Sequence, residues 1–202
     1  NEFLPTLRLA WQAAPAHSFW AAASRTVRAP SRLDADAYIP GRPPYLLRGG
    51  LRVRSEVAKV FELGYRGQPL PGVSYSATIF HNDYDHLRTQ EVDASRTFVV
   101  FDSLMEGKAN GIEMWGSYQA TPSWRLSAGL TGLHQSMQLK SGSNDQAGPG
   151  TAGKDPSHTM QLRSTYNIAR GKELEVAVRK VAALENPGVP GYTAVDARFG
   201  WQ

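Results

Sequence analysis

The chain has no cysteine in 202 residues, which excludes a disulfide framework and any thiolate metal site. Long apolar runs are missing as well. No segment approaches the ~18 consecutive apolar residues of a membrane-crossing helix. With 41% apolar residues and a mean hydropathy of -0.39, the chain is not a helical membrane protein. That composition leaves a β-barrel open, because barrel strands are apolar on one face only and look hydrophilic on average. No glycine-rich phosphate loop and no zinc-finger spacing occurs. The pairs Ser24/His17 and Ser157/His158 are the nearest approach to a nucleophile and its base, and spacing supports no third, orienting group. The chain is therefore read as non-enzymatic and without a cofactor. Its formal charge of +4 is modest. The basic residues fall in one loop and on alternating strand faces rather than on one continuous surface, which argues against nucleic acid.

What the chain does have is alternation. In Ser55–Arg66, Phe61, Leu63 and Tyr65 share one face while Glu62, Gly64 and Arg66 take the other, the period of two that marks a strand with one apolar and one wet side. Gly67 to Gly72, with Pro69 and Pro71, reverses the chain. Tyr75, Ala77 and Ile79 then alternate with Ser74, Ser76 and Thr78, and the run continues to about Arg88. Each arm is roughly twice the usual strand length of ~5–6 residues. The same pattern predicts strands at 6–12, 19–28, 97–119, 124–140, 158–169, 173–184 and 192–202, nine in all. Gly107 and Gly111 are expected at a bulge or a close approach. The cleanest alternation is Met160, Leu162, Tyr166 and Ile168 against Gln161, Arg163, Thr165 and Asn167.

The connections supply the architecture. Those at 13–18, 67–72, 120–123 and 170–172 are short; those at 29–54, 141–157 and 185–191 are longer, with 92–96 the exception. Short turns at one end and long loops at the other predict an all-β, antiparallel up-and-down meander belonging to a large transmembrane barrel. Trp11, Tyr65, Trp124 and Trp201 fall toward the short-turn end, as interfacial aromatics do; the alternative is the core of a soluble β-sandwich. Charge on a lipid face costs ~2–4 kcal/mol at the midplane, so Glu56, Glu62, Arg66, Glu113 and Arg125 are expected to pair inside the wall. His81, Asp83 and Asp85 share a face and His86 does not, which is too few strong ligands for a metal site.

Several segments together resemble the barrel of TonB-dependent outer-membrane receptors. They are Arg25–Arg32 (RTVRAPSR), Ser55-Glu56 with Phe61–Arg66 (FELGYR), Ala77–Asp85 (ATIFHNDYD) and Gly111–Trp115 (GIEMW), in that order. The resemblance covers essentially the whole chain. It implies a barrel of ~22 strands closed by an N-terminal plug, an outer-membrane location, and energy drawn from TonB through that plug. The chain opens at Asn1 without an initiator Met or signal peptide and stops at Trp201-Gln202, about two strands before the family's closing aromatic. Residues 1–202 are therefore read as a fragment of the C-terminal half of the barrel, lacking the plug and the last strands.

In that setting one loop stands out. Between Arg25 and Arg54 lie seven arginines (Arg25, Arg28, Arg32, Arg42, Arg48, Arg52, Arg54) against two acids, Asp34 and Asp36. Arginine presents a rigid fork of donors suited to carboxylate or phosphate. With Tyr38 and Tyr45 interleaved, the residues Tyr38, Arg42, Tyr45, Arg48, Arg52 and Arg54 are the expected ligand contacts. The expected ligand is anionic: a ferric siderophore or other metal chelate. Competing readings are a loop that contacts lipopolysaccharide or only solvates itself. A passive porin-like barrel and a soluble binding sandwich remain the alternatives for the whole.

Overall fold

In the computed structural model, residues 2–40 and 46–201 are described. Nine strands follow one another as an antiparallel meander: β1 (Thr6–Ala14), β2 (His17–Arg28), β5 (Glu56–Gly67), β6 (Val73–Val92), β7 (Phe98–Thr121), β8 (Trp124–Leu139), β9 (His158–Ala169), β10 (Lys172–Val181) and β11 (Tyr192–Trp201). Every one of the nine expected strands is present, most within three residues of its expected ends. The loop after β2 adds what periodicity did not reveal, a one-turn helix α1 (Arg32–Asp36) and two short strands, β3 (Tyr38–Ile39) and β4 (Leu46–Arg48).

Cross-strand register turns local alternation into one face. Leu9 lies opposite Ala21, Ala21 opposite Leu63, Leu63 opposite Ile79, and Ile79 opposite Ile112. Further along, Met114 faces Leu130, Leu130 faces Met160, and Leu162 faces Val178, which faces Val195. Directly opposed residues share a side of the sheet, so the apolar positions of all nine strands line up on one surface. That surface is uncovered: Leu9 is 65% exposed, Leu63 53%, Leu162 53% and Val195 68%. The only buried apolar side chains among the described residues are Ala22, Phe101, Met105 and Ala109. A single layer whose apolar side is bare suits hydrocarbon, not water.

The other face holds Glu62, Arg66, Glu113, Arg125, Arg163 and Glu175. It is sparsely paired. Arg163 reaches Glu175 at 3.6 Å and Arg198 reaches Glu173 at 2.8 Å. Of the five residues expected to pair in the wall, Glu56 does, with Arg28 at 2.7 Å. Glu62, Arg66, Glu113 and Arg125 point the same way without an ion pair among the described residues: Glu62 and Arg66 stand four residues apart on β5, and Glu113 and Arg125 lie opposite Thr131 and Gln119 in the β7–β8 ladder. Close approach explains two glycines on this face. A Cβ at Gly64 would overlap the Trp20 indole and one at Gly111 the Phe80 ring, so each glycine gives an inward aromatic a flat bed. Gly107 is likewise pressed by Met137 and lies beside the β6 bulge after Tyr84, where His86 takes φ +57°.

Aromatics mark the short-turn end. Trp11 and Phe19 stack at 5.8 Å, Phe19 meets Tyr65 at 4.8 Å, and Tyr65 meets Tyr75 at 5.3 Å. Phe199 and Trp201 pair at 5.8 Å, and the Trp124 indole donates to the Ser164 hydroxyl at 2.9 Å. At the opposite end β6 and β7 run 20 and 24 residues, far past the apolar band. The short 93–97 connection is therefore the tip of a long arm, and the apparent exception to the loop asymmetry disappears.

Cysteines at Leu162 and Arg163, in the receptor containing this chain and carrying nitroxide labels, should differ sharply: Leu162 quenched by apolar reagents, Arg163 by aqueous ones. A lipid-facing Arg163 would put the register of β9 off by one. Residues 1–202 alone, with β1 and β11 unpaired on one side and the apolar face bare, should not yield a monodisperse monomer in plain buffer. A cooperative melt of such a monomer would favour a soluble sandwich.

Candidate ligand-binding mouth

The 29–54 loop folds back onto the wall because one carboxylate is gripped from several sides. Ser31 caps α1 in a capping box: its hydroxyl accepts from the Asp34 amide at 3.2 Å, while the Ser31 amide donates to Asp34 Oδ2 at 2.8 Å. The rest of the Asp34 side chain is spent on the barrel. Arg28 Nη1 donates to Oδ2 at 3.1 Å and Arg88 Nη1 to Oδ1 at 2.8 Å. Arg28 also forks onto Glu56, at 2.7 Å for both Nε and Nη2. Arg28 and Glu56 belong to the inward face of their strands, so α1 is anchored on the lumenal side of the mouth.

Asp34 is fully buried. Burial alone would push its carboxyl up. Hydrogen bonds from Arg88, from the Ser31 amide and hydroxyl, and from Arg28 outweigh that and hold it well below the usual carboxylate range.

Beyond α1 the chain runs along the arm. Gly50 donates to the Asp34 carbonyl at 2.9 Å and Gly49 to the Ala37 carbonyl at 2.7 Å; a Cβ on either would collide with backbone. Strand β4 pairs in parallel with the start of β7, Leu46 to Phe98 through Arg48 to Val100. Arg48 lies 4.5 Å over the Phe98 ring, Arg52 reaches Asp102 at 2.9 Å, and the Arg54 amide donates to the Ser103 hydroxyl at 2.9 Å. The 140–157 loop clasps the arm from the other side. Glu91 accepts from the Ser143 hydroxyl at 2.7 Å and the Asn144 amide at 2.6 Å, and Asp145 accepts from the Gln90 amide at 2.8 Å.

The seven arginines are therefore not seven free donors. Arg25 is on the outward face, bound to Glu2 at 2.9 Å. Arg28 and Arg52 are committed to carboxylates, and Arg32 meets Asp36 at 3.4 Å. Arg42 and Tyr45 lie outside the described residues. Among the described residues no carboxylate pairs with Arg48 or Arg54, and both are exposed. Tyr38, 66% exposed, stands directly opposite Arg48 in the β3–β4 ladder. The structure thus brings Tyr38, Arg48, Arg52 and Arg54 to one seam. Sequence reasoning missed Asp34, Arg88, Glu91 and Asp145 as the groups that shape the mouth. The Ser31-x-x-Asp34 spacing was the one signal available for the first of them.

The His81–Asp85 run is spent differently. His81 Nε2 lies 3.3 Å from Asp83, Lys108 lies 3.8 Å from the same carboxylate, and Asp85 pairs with Lys140. At the bulge His86 takes φ +57°, with its Nε2 3.6 Å from the Asp85 carboxylate.

One apolar side, one polar side, short turns at one end and folded loops at the other define a segment of transmembrane β-barrel wall. The chain belongs to the TonB dependent receptor-like, beta-barrel family, whose family model matches residues 1–202, and such barrels reside in the outer membrane. No curated protein sequence matches it. Similar solved structures include the FrpB iron transporter of Neisseria meningitidis (F3-3 variant), with TM-score 0.77 and 14% identity over 98% of this chain and 32% of that one. The siderophore receptor PirA of Pseudomonas aeruginosa gives 0.76 and 15% over 98% and 36%. The copper transporter OprC gives 0.70 and 14% over 98% and 31%. The chain spans about a third of the length of these proteins.

Asp34→Asn should release the loop at any pH, lowering its local stability by about 3 kcal/mol, the order expected when one partner of a buried pair is removed. Hydrogen exchange of the Gly49 and Gly50 amides reads this directly. A carboxyl with a depressed pKa contributes stability above its unfolded value of ~3.9 and loses it as pH falls through the folded value. The native latch should therefore survive mild acid. The arm tip should loosen only as pH nears 2, since the Ser95 hydroxyl and the Phe98 and Thr97 amides hold Asp93 down to about 2. Loss of either at pH 5 would contradict the geometry.

Proposed function

We propose that this chain is part of the C-terminal half of the barrel of a TonB-coupled receptor that takes up an anionic metal chelate, with a ferric siderophore as the best-fitting class. The observation that carries this reading is the mouth. A loop latched to the lumenal side presents Arg48 and Arg54 without carboxylate partners, beside the exposed phenol of Tyr38. Guanidinium groups without carboxylate partners, Arg48 resting over the Phe98 ring, offer charge-assisted donors to catecholate or carboxylate oxygens. Iron, siderophore and copper transporters among the similar structures support the substrate class. In this reading Arg42 and Tyr45 remain ligand contacts, Arg52 holds the seam through Asp102, and energy arrives from TonB through a plug inside the barrel.

In the receptor containing this chain, Arg48→Ala with Arg54→Ala should weaken binding of a radioiron-loaded tricatecholate roughly a hundredfold, because each bond to a charged group contributes on the order of 1.5–3 kcal/mol. Barrel assembly, read by heat-modifiable migration, should be unchanged. Arg52→Ala should weaken binding less and loosen the loop. Uptake should stop when the inner-membrane proton gradient is dissipated. Gradient-independent passage would make the protein a passive pore, and unchanged binding in the double variant would remove the arginines from the site.

A further inference from the structure

The lumenal wall is not smooth toward the short-turn end. Trp115 stands on the inward face of β7, 47% exposed, and its opposite neighbours are small: Ser76 on β6 and Gly129 on β8. The same row continues sideways to Arg66 beyond Ser76, and to Gln161 and Arg179 beyond Gly129. Two hollows flank the indole and share Trp115 and Gln161. One, of about 340 Å³, reaches Glu113 and Arg179; the other, of about 440 Å³, reaches Ser127, Arg125, Arg163 and Glu175. Each falls in the size range of small-molecule sites, ~300–1,000 Å³. Charge here is unbalanced. Arg163 meets Glu175 only loosely, at 3.6 Å, and Arg179 lies 5.8 Å over the Tyr192 ring; among the described residues no carboxylate pairs with Arg125 or Arg179. The hollows are far from the mouth. Along β7, Trp115 is about 50 Å of strand, at ~3.3 Å per residue, from Val100, the partner of Arg48.

We propose that these hollows form a second subsite for the anionic chelate, at the exit end of the barrel, where the ligand rests after leaving the mouth. The subsite presupposes the chelate reading of the mouth. The same chemistry recurs here: guanidinium forks for catecholate or carboxylate oxygens, an indole face for a planar ring, and Ser127 and Gln161 as neutral partners. What differs is the presence of Glu113 and Glu175. Their carboxylates weaken the grip on an anion, so the lower subsite holds briefly and releases. A permanently docked protein segment would bury Arg125 and Arg179 and require fixed carboxylates for them. A ligand that comes and goes leaves them solvated between visits.

In cells bearing the receptor that contains this chain, a radioiron-loaded tricatecholate reports both steps: binding in de-energised cells and uptake in energised ones. Arg125→Ala with Arg163→Ala should leave binding within twofold of the unaltered receptor and cut the uptake rate at least tenfold. Arg125→Lys with Arg163→Lys should restore most of it. Arg198→Ala, a lumenal arginine spent on Glu173 outside both hollows, should match the unaltered receptor. Heat-modifiable migration verifies that each variant has folded. Unchanged uptake in the double alanine variant overturns the subsite and leaves the chelate reading intact, whereas absence of binding in the unaltered receptor sinks both. Loss of binding together with uptake would assign the two arginines to the mouth and overturn the subsite. An equal fall in Arg198→Ala, the mark of unspecific charge in the lumen, would do the same. Sensitivity to vancomycin gained in the double alanine variant would show that these arginines hold a plug in place, and would overturn it too.

Discussion

Hydrocarbon offers no partner to a backbone amide or carbonyl, and everything else in this chain follows from that constraint. Each polar group of the main chain must be bonded within the protein, which in strands means to a neighbouring strand on both sides. A sheet obeying this exposes alternate side chains to lipid and to the lumen. The side chains then have little freedom of choice along the band: apolar groups such as Leu63, Ile79, Phe61 and Met160 outward, and polar groups, glycines and aromatics bedded on glycine inward. The bedding of Trp20 on Gly64 and Phe80 on Gly111 shows the inward face solving a packing problem within a single layer. Among the described residues no second sheet stands behind it.

That constraint also decides how much of the protein is legible in its sequence. In the band the solvent on each side dictates residue type position by position, so Phe61-x-Leu63-x-Tyr65 and Met160-x-Leu162 reveal strand, face and register together. Above the band both faces meet water, and the pattern no longer reports on structure. The extension of β6 beyond Arg88 to Val92 carries no apolar alternation for that reason. The parallel pairing of β4 with β7 joins residues about fifty positions apart through backbone bonds that carry no side-chain signature.

The loop was illegible in a more instructive way. Its charge count suggested a surplus of donors, because only Asp34 and Asp36 lie within the segment. Further carboxylates reach it from elsewhere: Glu56 from the β5 wall, Asp102 from the arm and Glu2 beside Arg25. A local tally of charge cannot see partners supplied by tertiary folding. What it does see correctly is arginine clustering; what it misassigns is the work each arginine does. Placement by the fold separates Arg28 and Arg52, which hold the loop, from Arg48 and Arg54, which have nothing acidic to hold among the described residues.

On the proposed function, this division has a physical rationale, because a mouth that takes up a ligand must also release it. A loop carrying only unpaired arginines would repel itself and order only around its ligand, at a cost in entropy on every binding event. Spending Asp34 in a buried, multiply bonded latch fixes α1 before any ligand arrives, because Arg28, Arg88 and Ser31 together hold its carboxylate. The remaining guanidinium groups then sit on a seam already ordered, exposed enough that a ligand's contacts compete with solvent and can be undone. Rigid support with solvated donors gives affinity by pre-organisation rather than by deep burial. The uptake site proposed above is suited by that balance, since a fully desolvated ion pair would be slow to leave.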